Sequence, residues 1–340
     1  MKAYILHSVN NLSYEDTSIP KCPSGWAIVK VKATGICSSD ISRVFRTGTY
    51  HYPTIIGHEF AGIVHSVGTD SDLSLIGKHV GVFPLIPCRK CRQCENKKYE
   101  MCENYDYVGS RRDGGFAEYV SVPVWNLIQL PENISFTNAA MLEPLSVGLH
   151  AVKMLNIQEG DSVAVIGTGM IGISAAQWAK GYKAENVTVL GRNESKRELV
   201  EKCGLEYRLI NDLKDKEFDK VIEAVGSPES ISTAINIVAA GGTLVLMGNP
   251  SGDIFLDKQL YWRILRKQIT VKGTWNSSYD GVNRSDWTEA VEALEKHFIN
   301  VDSLISHVFN QERLMDGLAL MNERKEPFCK VMTTWNDEEL

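Results

Sequence analysis

Four cysteines lie within a short stretch of the chain, at a spacing that is typical of a metal site. Two, two and seven residues separate Cys88, Cys91, Cys94 and Cys102 in turn, and several lysines and arginines stand among them. Four thiolates can surround one zinc ion as a tetrahedron that leaves no position open for a substrate, and nearby cations favour thiol ionisation. We therefore predict a structural zinc ion bound by these cysteines. An iron–sulfur cluster and four unrelated buried cysteines are the alternatives.

Further candidate metal ligands are spread over three separate segments. Cys37 lies in Gly-Ile-Cys-Ser-Ser-Asp, His58 and Glu59 lie in Gly-His-Glu-Phe-Ala-Gly, and Glu143 precedes a proline. A thiol, an imidazole and a carboxylate are all zinc ligands, and a site with three protein ligands keeps a fourth position for water or substrate. Each segment alone is a weak signal, so the group gains weight only if the fold brings its members together.

A glycine-rich turn of the pattern Gly-x-Gly-x-x-Gly follows the apolar run Ser-Val-Ala-Val-Ile and precedes a helical stretch. In this strand–turn–helix context the first glycine permits the tight turn, the second lets the backbone approach a pyrophosphate, and the third allows close helix packing. We therefore predict that a dinucleotide binds at this turn. The candidate residues are Gly167, Gly169, Met170, Ile171 and Gly172.

The end of the next apolar strand bears on which dinucleotide binds. An NAD-dependent enzyme usually carries Asp or Glu about 20 residues after the glycines, where the carboxylate binds the ribose 2′-hydroxyl. Here the chain has Gly191 and Arg192, with Lys196 shortly after. The glycine removes a carboxylate that would repel a 2′-phosphate, and the arginine can pair with one. These residues favour NADP over NAD; a solvated charge run at a helix start is the alternative.

The length and composition indicate an ordinary globular protein. The chain has 340 residues, 44% of them hydrophobic and 23% charged, and a formal net charge of −6. This length suggests two domains, and the acidic balance argues against a nucleic-acid partner bound through bulk positive charge. The opening residues lack the apolar segment of a secretory signal, and no stretch approaches the ~18 apolar residues of a membrane span. We expect a cytoplasmic protein with no nucleic-acid or membrane partner.

Three regions follow one another along the chain. Residues 1–150 contain short β-rich runs broken by glycine and proline, with the cysteine lobe at about 86–104. Residues 151–276 alternate apolar strands with helical stretches, which is typical of a doubly wound parallel α/β sheet. Residues 277–340 have no complete core of their own, so we expect them to fold back onto the first region.

Together these motifs resemble the zinc-dependent medium-chain alcohol and polyol dehydrogenases over essentially the whole chain. The resemblance rests on the Gly-His-Glu-x-x-Gly stretch, the upstream Gly-Ile-Cys-Ser-Ser-Asp segment, the cysteine lobe and the glycine-rich turn. It implies an α/β two-domain fold, in which a GroES-like β-rich catalytic domain accompanies a Rossmann coenzyme domain. It also implies a catalytic zinc ion held by Cys37, His58 and an acidic ligand. Glu59 and Glu143 are the candidates, either directly or through water.

The resemblance assigns further roles around that metal. Glu143 stands where alcohol dehydrogenases have a second cysteine, a substitution shared with the sorbitol dehydrogenase branch, which points to polyols. Asp40 is the expected hydrogen-bond partner of His58, and Ser39 matches the hydroxyl that relays the substrate proton. Many relatives carry a histidine where this chain has Ser42. We therefore expect the proton to leave through water or another group.

Two adjacent arginines follow the cysteine lobe, in a loop that approaches the substrate in this family. Guanidinium groups match phosphate oxygens, so Arg111 and Arg112, with Arg43 and Arg46 upstream, are candidates for binding a substrate phosphate. Solvated surface groups or structural salt bridges are the alternative. The implied reaction is the reversible oxidation of a secondary alcohol of a sugar-alcohol phosphate, such as galactitol 1-phosphate, to a ketose phosphate with NAD(P).

Other functions fit the same motifs. Within the family the substrate could instead be arabitol or ribitol phosphate, or a free polyol such as sorbitol. A function of another class is a catalytically silent protein that binds zinc and a nucleotide. Relatives pair the last strands of the coenzyme sheet across a two-fold axis, so the resemblance also implies a homodimer, with a tetramer as the alternative.

Overall fold

The computed structural model describes residues 1–250 and 252–335. The chain divides into two compact units. The first contains Met1–Glu143 and the described residues from Ser278 onward, and the second contains Pro144–Ser277. None of the helices in these described ranges is long and apolar enough to cross a membrane.

The first unit is built mainly from β-strands, which confirms the predicted β-rich character of the opening region. Its strands up to residue 129 are β1 (Lys2–Ser8), β2 (Asn11–Asp16), β3 (Trp26–Ile36), β4 (Thr54–Ile55), β5 (Glu59–Val67), β6 (His79–Val82), β7 (Leu85–Ile86), β8 (Asp106–Tyr107), β9 (Tyr119–Pro123) and β10 (Leu127–Gln129). Its helices in this part are α1 (Ser38–Ser42), α2 (Arg92–Glu95) and α3 (Phe136–Ala139), and a π-helical turn at Arg43–Thr47 continues α1.

The second unit alternates strands and helices. Its elements are α4 (Leu142–Leu155), which begins at the unit boundary, β11 (Ser162–Ile166), α5 (Met170–Gly181), β12 (Asn186–Gly191), α6 (Arg197–Lys202), β13 (Glu206–Leu209), β14 (Phe218–Glu223), α7 (Pro228–Ile237), β15 (Val238–Leu246), α8 (Lys258–Lys267) and β16 (Thr270–Gly273). The strands form one parallel sheet in the order β13-β12-β11-β14-β15-β16. This is the strand order of a doubly wound dinucleotide-binding sheet, so the predicted Rossmann architecture is confirmed.

The chain then returns to the first unit through α9 (Asp286–Glu295), β17 (Ile305–Asn310), α10 (Leu314–Glu323) and β18 (Lys330–Thr334). Strand β3 organises that unit, because it pairs antiparallel with β5, β9 and β18. Alternate residues of β3 such as Val29 and Val31 are fully buried in the core cluster that also includes Leu314 and Trp335. The apolar face of β3 therefore holds together segments that are far apart in sequence.

Candidate metal centres and coenzyme site

The dispersed thiol, imidazole and carboxylate meet because two strands pair. Antiparallel pairing of β3 with β5 places Gly35 opposite Glu59, so Cys37, just beyond the end of β3, lies beside His58 and Glu59. One ligand atom from each of these three residues lies within 4.8 Å of the others. His58 and Glu59 are 5% and 2% exposed. Zinc accepts this donor set of sulfur, nitrogen and oxygen, so these three residues could hold a metal ion. We call them the three-residue cluster.

Asp40 lies behind the imidazole of the cluster. Its carboxylate is fully buried, with Oδ1 3.5 Å from His58 Nδ1 and Oδ2 accepting from the Cys37 backbone N–H at 3.0 Å. Burial acts to raise the pKa of Asp40, but the facing charges of His58 and Arg43 outweigh it and hold that pKa low. Because an anion faces Nδ1, the Nε2 atom of His58 is the one available to a metal.

A buried lysine faces the carboxylate of the cluster, and sequence reasoning missed it. Lys330 is 3% exposed, its Nζ forms an ion pair with Glu59 Oε2, and it donates to the Ile36 carbonyl at 3.2 Å. Burial acts to lower the pKa of Lys330, but the charge of Glu59 outweighs burial, so the pKa lies above its usual value. Pairing of β18 with β3 brings this lysine to the site. The only local signal was a lysine at the start of the strand Lys-Val-Met-Thr-Thr, directly before two apolar residues.

Glu143 lies beside the three-residue cluster rather than within it. Its carboxylate is 8% exposed and accepts a hydrogen bond from the Tyr107 hydroxyl at 3.3 Å. The Tyr107 ring in turn packs 5.8 Å from the ring of His58, centroid to centroid. Burial raises the pKa of Glu143 to about 7, although the nearby charge of His58 opposes that shift. Tyr107 is a second site residue that the sequence did not single out.

Ser39 of α1 and Arg43, the first residue of the π-helical turn, also contact one another. Arg43 Nη1 donates to Ser39 Oγ at 2.7 Å and to Asp40 Oδ1 at 3.2 Å. Ser42 instead bonds Thr47, with 3.2 Å between the two hydroxyl oxygens. Because a guanidinium only donates, Ser39 accepts from Arg43, and the hydroxyl hydrogen of Ser39 is available to another acceptor.

The other three arginines that the sequence proposed for a phosphate lie in different surroundings. Arg111 is stacked between Tyr50 and Tyr105, with its guanidinium carbon 4.5 and 4.4 Å from the two ring centroids. It donates to the Tyr105 carbonyl at 2.9 Å, and its Nε is buried without a partner in the described ranges. Arg112 forms an ion pair with Asp106, and Arg46 donates to an asparagine of α10 at 3.3 Å.

The four cysteines of the lobe also converge. Their sulfur atoms all lie within 4.8 Å of one another, and none of them forms a disulfide. Backbone amides, first that of Glu103, lower the pKa of the Cys91 thiol to about 6, whereas burial raises that of Cys94 to about 12. A metal bound here would displace the remaining thiol protons. The geometry and the donor set fit one tetrahedral ion.

The glycine-rich turn joins β11 to α5 as the motif predicts. Gly167 has φ +126°, which is strained for a residue with a side chain, and the helix begins at Met170 with Gly169 as its N-cap. A Cβ atom at Gly172 would collide with the Gly167 carbonyl group, whereas one at Gly169 would meet nothing within 4 Å. The backbone therefore closes on itself at Gly172 and is open to a ligand at Gly169.

The segment after β12 carries the residues expected to choose the coenzyme. Gly191 is buried and ends the strand, and Arg192 is exposed and forms no ion pair within residues 1–250 and 252–335. Lys196 closes the short helical turn that follows. An exposed, unpaired guanidinium beside a strand end without a carboxylate can meet a phosphate.

Family models match both units. Residues 23–132 match the alcohol dehydrogenase GroES-like domain, and residues 171–296 match the zinc-binding dehydrogenases. The chain belongs to the zinc-dependent medium-chain alcohol dehydrogenase family. This confirms the family and the fold that the sequence predicted.

Among individual relatives, the galactitol 1-phosphate 5-dehydrogenase of Escherichia coli K12 is 33% identical over 290 residues, covering 82% of this chain and 84% of the relative. A crystal structure of the E. coli galactitol-1-phosphate dehydrogenase aligns with a TM-score of 0.91 at 30% identity, covering 98% of this chain and all of the other.

Two further solved structures contain a coenzyme. The RspB alcohol dehydrogenase of E. coli CFT073, in complex with NADH, has a TM-score of 0.89 at 28% identity and covers 98% of this chain and 99% of its own. A zinc-binding dehydrogenase of Sinorhizobium meliloti 1021, bound to NADP, has a TM-score of 0.88 at 28% identity and covers 98% of both chains. The protein is thus an oxidoreductase of a family whose members bind either coenzyme.

Proposed function

We propose that this protein is a zinc- and NAD(P)-dependent dehydrogenase that interconverts a sugar-alcohol phosphate, galactitol 1-phosphate or a close analogue, and a ketose phosphate. The observation that carries the proposal is the convergence of Cys37, His58 and Glu59 to within 4.8 Å in a chain of the zinc-dependent family. Family membership supports the oxidation of a sugar alcohol. The arginines support the finer part of the proposal, which is that the substrate carries a phosphate.

The three-residue cluster would hold the catalytic zinc ion. When bound, zinc supplies a Lewis acid that polarises the substrate hydroxyl and keeps one coordination position for it. Asp40 would orient His58 so that its Nε2 atom is the one that binds the metal. Glu59 would bind directly through the carboxylate oxygen that Lys330 leaves free, and Glu143, which is held by Tyr107, would bind through water.

Ser39 would orient the reacting hydroxyl of the substrate. Arg43 holds Ser39 Oγ from one side at 2.7 Å, so the serine hydrogen is directed to a ligand oxygen. Arg43 has no acceptor and cannot take the substrate proton onward. Ser42 is engaged by Thr47. We therefore propose that the proton leaves through water rather than along the side chains of α1.

Cys88, Cys91, Cys94 and Cys102 would bind a second, structural zinc ion. Their four sulfurs complete a tetrahedral shell, so this ion would keep no open position for chemistry. Its role would be to stabilise the lobe, whose backbone has few elements longer than one helical turn.

The coenzyme would bind with its pyrophosphate at Gly167–Gly172, and its nicotinamide supplies the C4 atom that accepts the hydride. We propose NADP as the preferred form. Exposed, unpaired Arg192 supports this preference, as does the absence of a carboxylate at Gly191.

Among the four arginines, Arg111 is the best candidate for the substrate phosphate. Tyr50 and Tyr105 fix the plane of its guanidinium, so little side-chain entropy remains to be lost on binding. Its Nε lacks a partner in the described ranges, although Nη1 donates to the Tyr105 carbonyl. The other three arginines bond the side chains described above.

We also propose a homodimer formed through the edge of the parallel sheet. Strand β16 is the last strand of that sheet, and Val271 in it is 41% exposed. The adjoining helix α8 exposes Tyr261, Trp262 and Leu265 at 55%, 38% and 54%. An exposed strand edge beside exposed apolar side chains is typical of a surface that a second chain covers.

A panel of substrates tests whether the enzyme prefers a phosphorylated sugar alcohol. Galactitol 1-phosphate, ribitol and arabitol phosphates, and the free polyols galactitol and sorbitol are assayed with NAD and with NADP, for wild type and for Arg111→Ala. We expect a preference for a phosphorylated substrate that Arg111→Ala reduces at least tenfold in kcat/KM. Arg112→Ala is the matched control, since Arg112 already pairs with Asp106. Equal kcat/KM values for free and phosphorylated polyols in wild type would contradict the proposal and favour a free-polyol dehydrogenase.

Metal analysis separates the enzyme from a silent binding protein. We expect two zinc ions per chain together with coenzyme reduction by at least one polyol of the panel. One ion per chain and no turnover with any polyol of the panel would support a catalytically silent binding protein.

The division into a catalytic domain of residues 1–150 and 277–340 and a coenzyme domain of residues 151–276 stays a prediction, as does the cytoplasmic location. Residues 336–340 lie outside the described ranges.

A further inference from the structure

Strand β12 ends at Gly191, which has no side chain. Tyr207 on the neighbouring strand occupies the space that a side chain there would need. Parallel pairing places Val189 opposite Tyr207, and Gly191 lies two residues beyond Val189 on the same face of the strand. A Cβ atom at Gly191 would lie 2.7 Å from Tyr207 Cζ and closer still to the hydroxyl oxygen. The backbone at Gly191 is not in the left-handed region. The tyrosine ring, and not the backbone conformation, therefore requires a glycine.

The Tyr207 ring has little room to move aside. It is 4% exposed, and its hydroxyl donates to the Asn193 carbonyl just beyond Gly191. Arg197 covers its face, with the guanidinium carbon 4.8 Å from the ring centroid, and donates to the Tyr207 carbonyl at 3.3 Å. Any side chain at position 191 would have to displace the Tyr207 ring together with its contacts to Asn193 and Arg197.

Arg197 also pairs with Glu194, an acidic side chain of the turn that follows Gly191. Arg197 binds Glu194 through two nitrogens, Nε at 2.5 Å and Nη2 at 3.1 Å. This contact lowers the pKa of Glu194, so it stays ionised and paired with the arginine. Arg192, in contrast, forms no ion pair within 4.0 Å in the ranges that the structure covers; its charge acts only at longer range on the exposed Glu229, whose pKa is lowered mainly by a backbone hydrogen bond and also by this charge.

We propose that Tyr207 is a specificity-determining residue for the coenzyme. It excludes from position 191 the acidic side chain that would bind a ribose 2′-hydroxyl, and it anchors the Asn193–Arg197 turn beside Arg192, whose exposed guanidinium can then pair with a 2′-phosphate. The inference rests on the proposed function only in that a dinucleotide binds at the glycine-rich turn.

The steric part is tested on the full chain by thermal unfolding. We expect Gly191→Ala to lower Tm in wild type and to have little effect in a Tyr207→Val background, where the strand former valine leaves the space above residue 191 empty. Tyr207→Phe removes the atom nearest the added methyl, so in that background the loss should be intermediate. Gly273→Ala, whose added Cβ would meet nothing within 4 Å, is the matched control. An equal loss in all three backgrounds would overturn the steric role of Tyr207.

The specificity part is tested by fluorescence titration with NADPH and NADH. Relative to Tyr207→Val alone, Gly191→Asp with Tyr207→Val is expected to bind NADH at least tenfold more tightly and NADPH at least tenfold more weakly. Gly191→Asp alone is expected to be destabilised and to gain no NADH affinity. If that single variant is as stable as wild type and prefers NADH, Tyr207 is not the obstacle and the inference is overturned. A wild type that binds neither coenzyme would instead overturn the proposed function, since the unfolding experiment does not depend on coenzyme.

Discussion

The two candidate sites of this protein are built in opposite ways. In the first unit, the three-residue cluster is made by side chains from separate segments, and other buried side chains, Lys330 and Asp40, balance their charges. In the second unit, the coenzyme turn is a continuous piece of backbone from which side chains are absent at Gly167 and Gly172. The metal site should therefore fail when a side-chain atom is removed, and the coenzyme site when one is added.

The largest effect should come from removing a candidate metal ligand. Cys37→Ser takes the thiolate from the cluster, and the Lewis acid contributes several kcal/mol to catalysis, so we expect turnover to fall about a thousandfold or more. Zinc should fall from two ions per chain to one, while coenzyme binding stays unchanged. Cys22→Ser is the control, because Cys22 lies outside both cysteine-containing clusters. Full activity in Cys37→Ser would remove Cys37 from the site.

Lys330→Met tests whether the buried lysine neutralises the carboxylate of Glu59 in the three-residue cluster. The variant leaves Glu59 buried without its counter-ion, which should cost about 3–5 kcal/mol of unfolding free energy. Denaturant unfolding measures the loss. Lys296→Met, in an exposed pair with Glu292, should change stability by no more than ~1 kcal/mol. Similar values for the two variants would show that the buried pair is not special.

Gly172→Ala tests the opposite mode of failure. The added methyl would press on the Gly167 carbonyl group, so we expect a loss of about 1–3 kcal/mol in stability together with weaker binding of both coenzymes. Zinc content should stay at the wild-type value. If coenzyme binding survives intact, the close contact of helix and turn does not shape the coenzyme site.

The smallest expected effect concerns a single hydroxyl. Tyr107→Phe removes the hydrogen bond to Glu143, and such a bond contributes about 1 kcal/mol net, so kcat should fall about fivefold with little change in KM. Tyr105→Phe is the matched control, because Tyr105 lies in the same aromatic group and its hydroxyl makes no hydrogen bond in the described ranges. Indistinguishable kinetics for the two variants would show that Glu143 does not depend on Tyr107.

Sequence patterns indicated which residues lie together most directly where a candidate site is local. The four-cysteine spacing and the glycine-rich turn each lie within a short stretch, and the structure brings their atoms together as those patterns predict. Prediction was weaker for the charged partners. The four arginines proposed for a phosphate do not share one environment: Arg43 contacts Ser39, whereas Arg112 is paired with Asp106. Whether any of them binds a phosphate stays a prediction.

From the sequence by itself came the family, the Rossmann and GroES-like architecture and the donor types of the two candidate metal sites, because these depend on residue type and on spacing along the chain. Only the tertiary structure revealed Lys330 against Glu59, Tyr107 against Glu143 and Tyr207 above Gly191. Each of these contacts joins residues of different strands or helices. Strand register decides which side chains meet in the Lys330–Glu59 and Tyr207–Gly191 contacts, and register depends on how the whole sheet packs onto its core. The Tyr107–Glu143 contact depends on how a helix packs beside a strand.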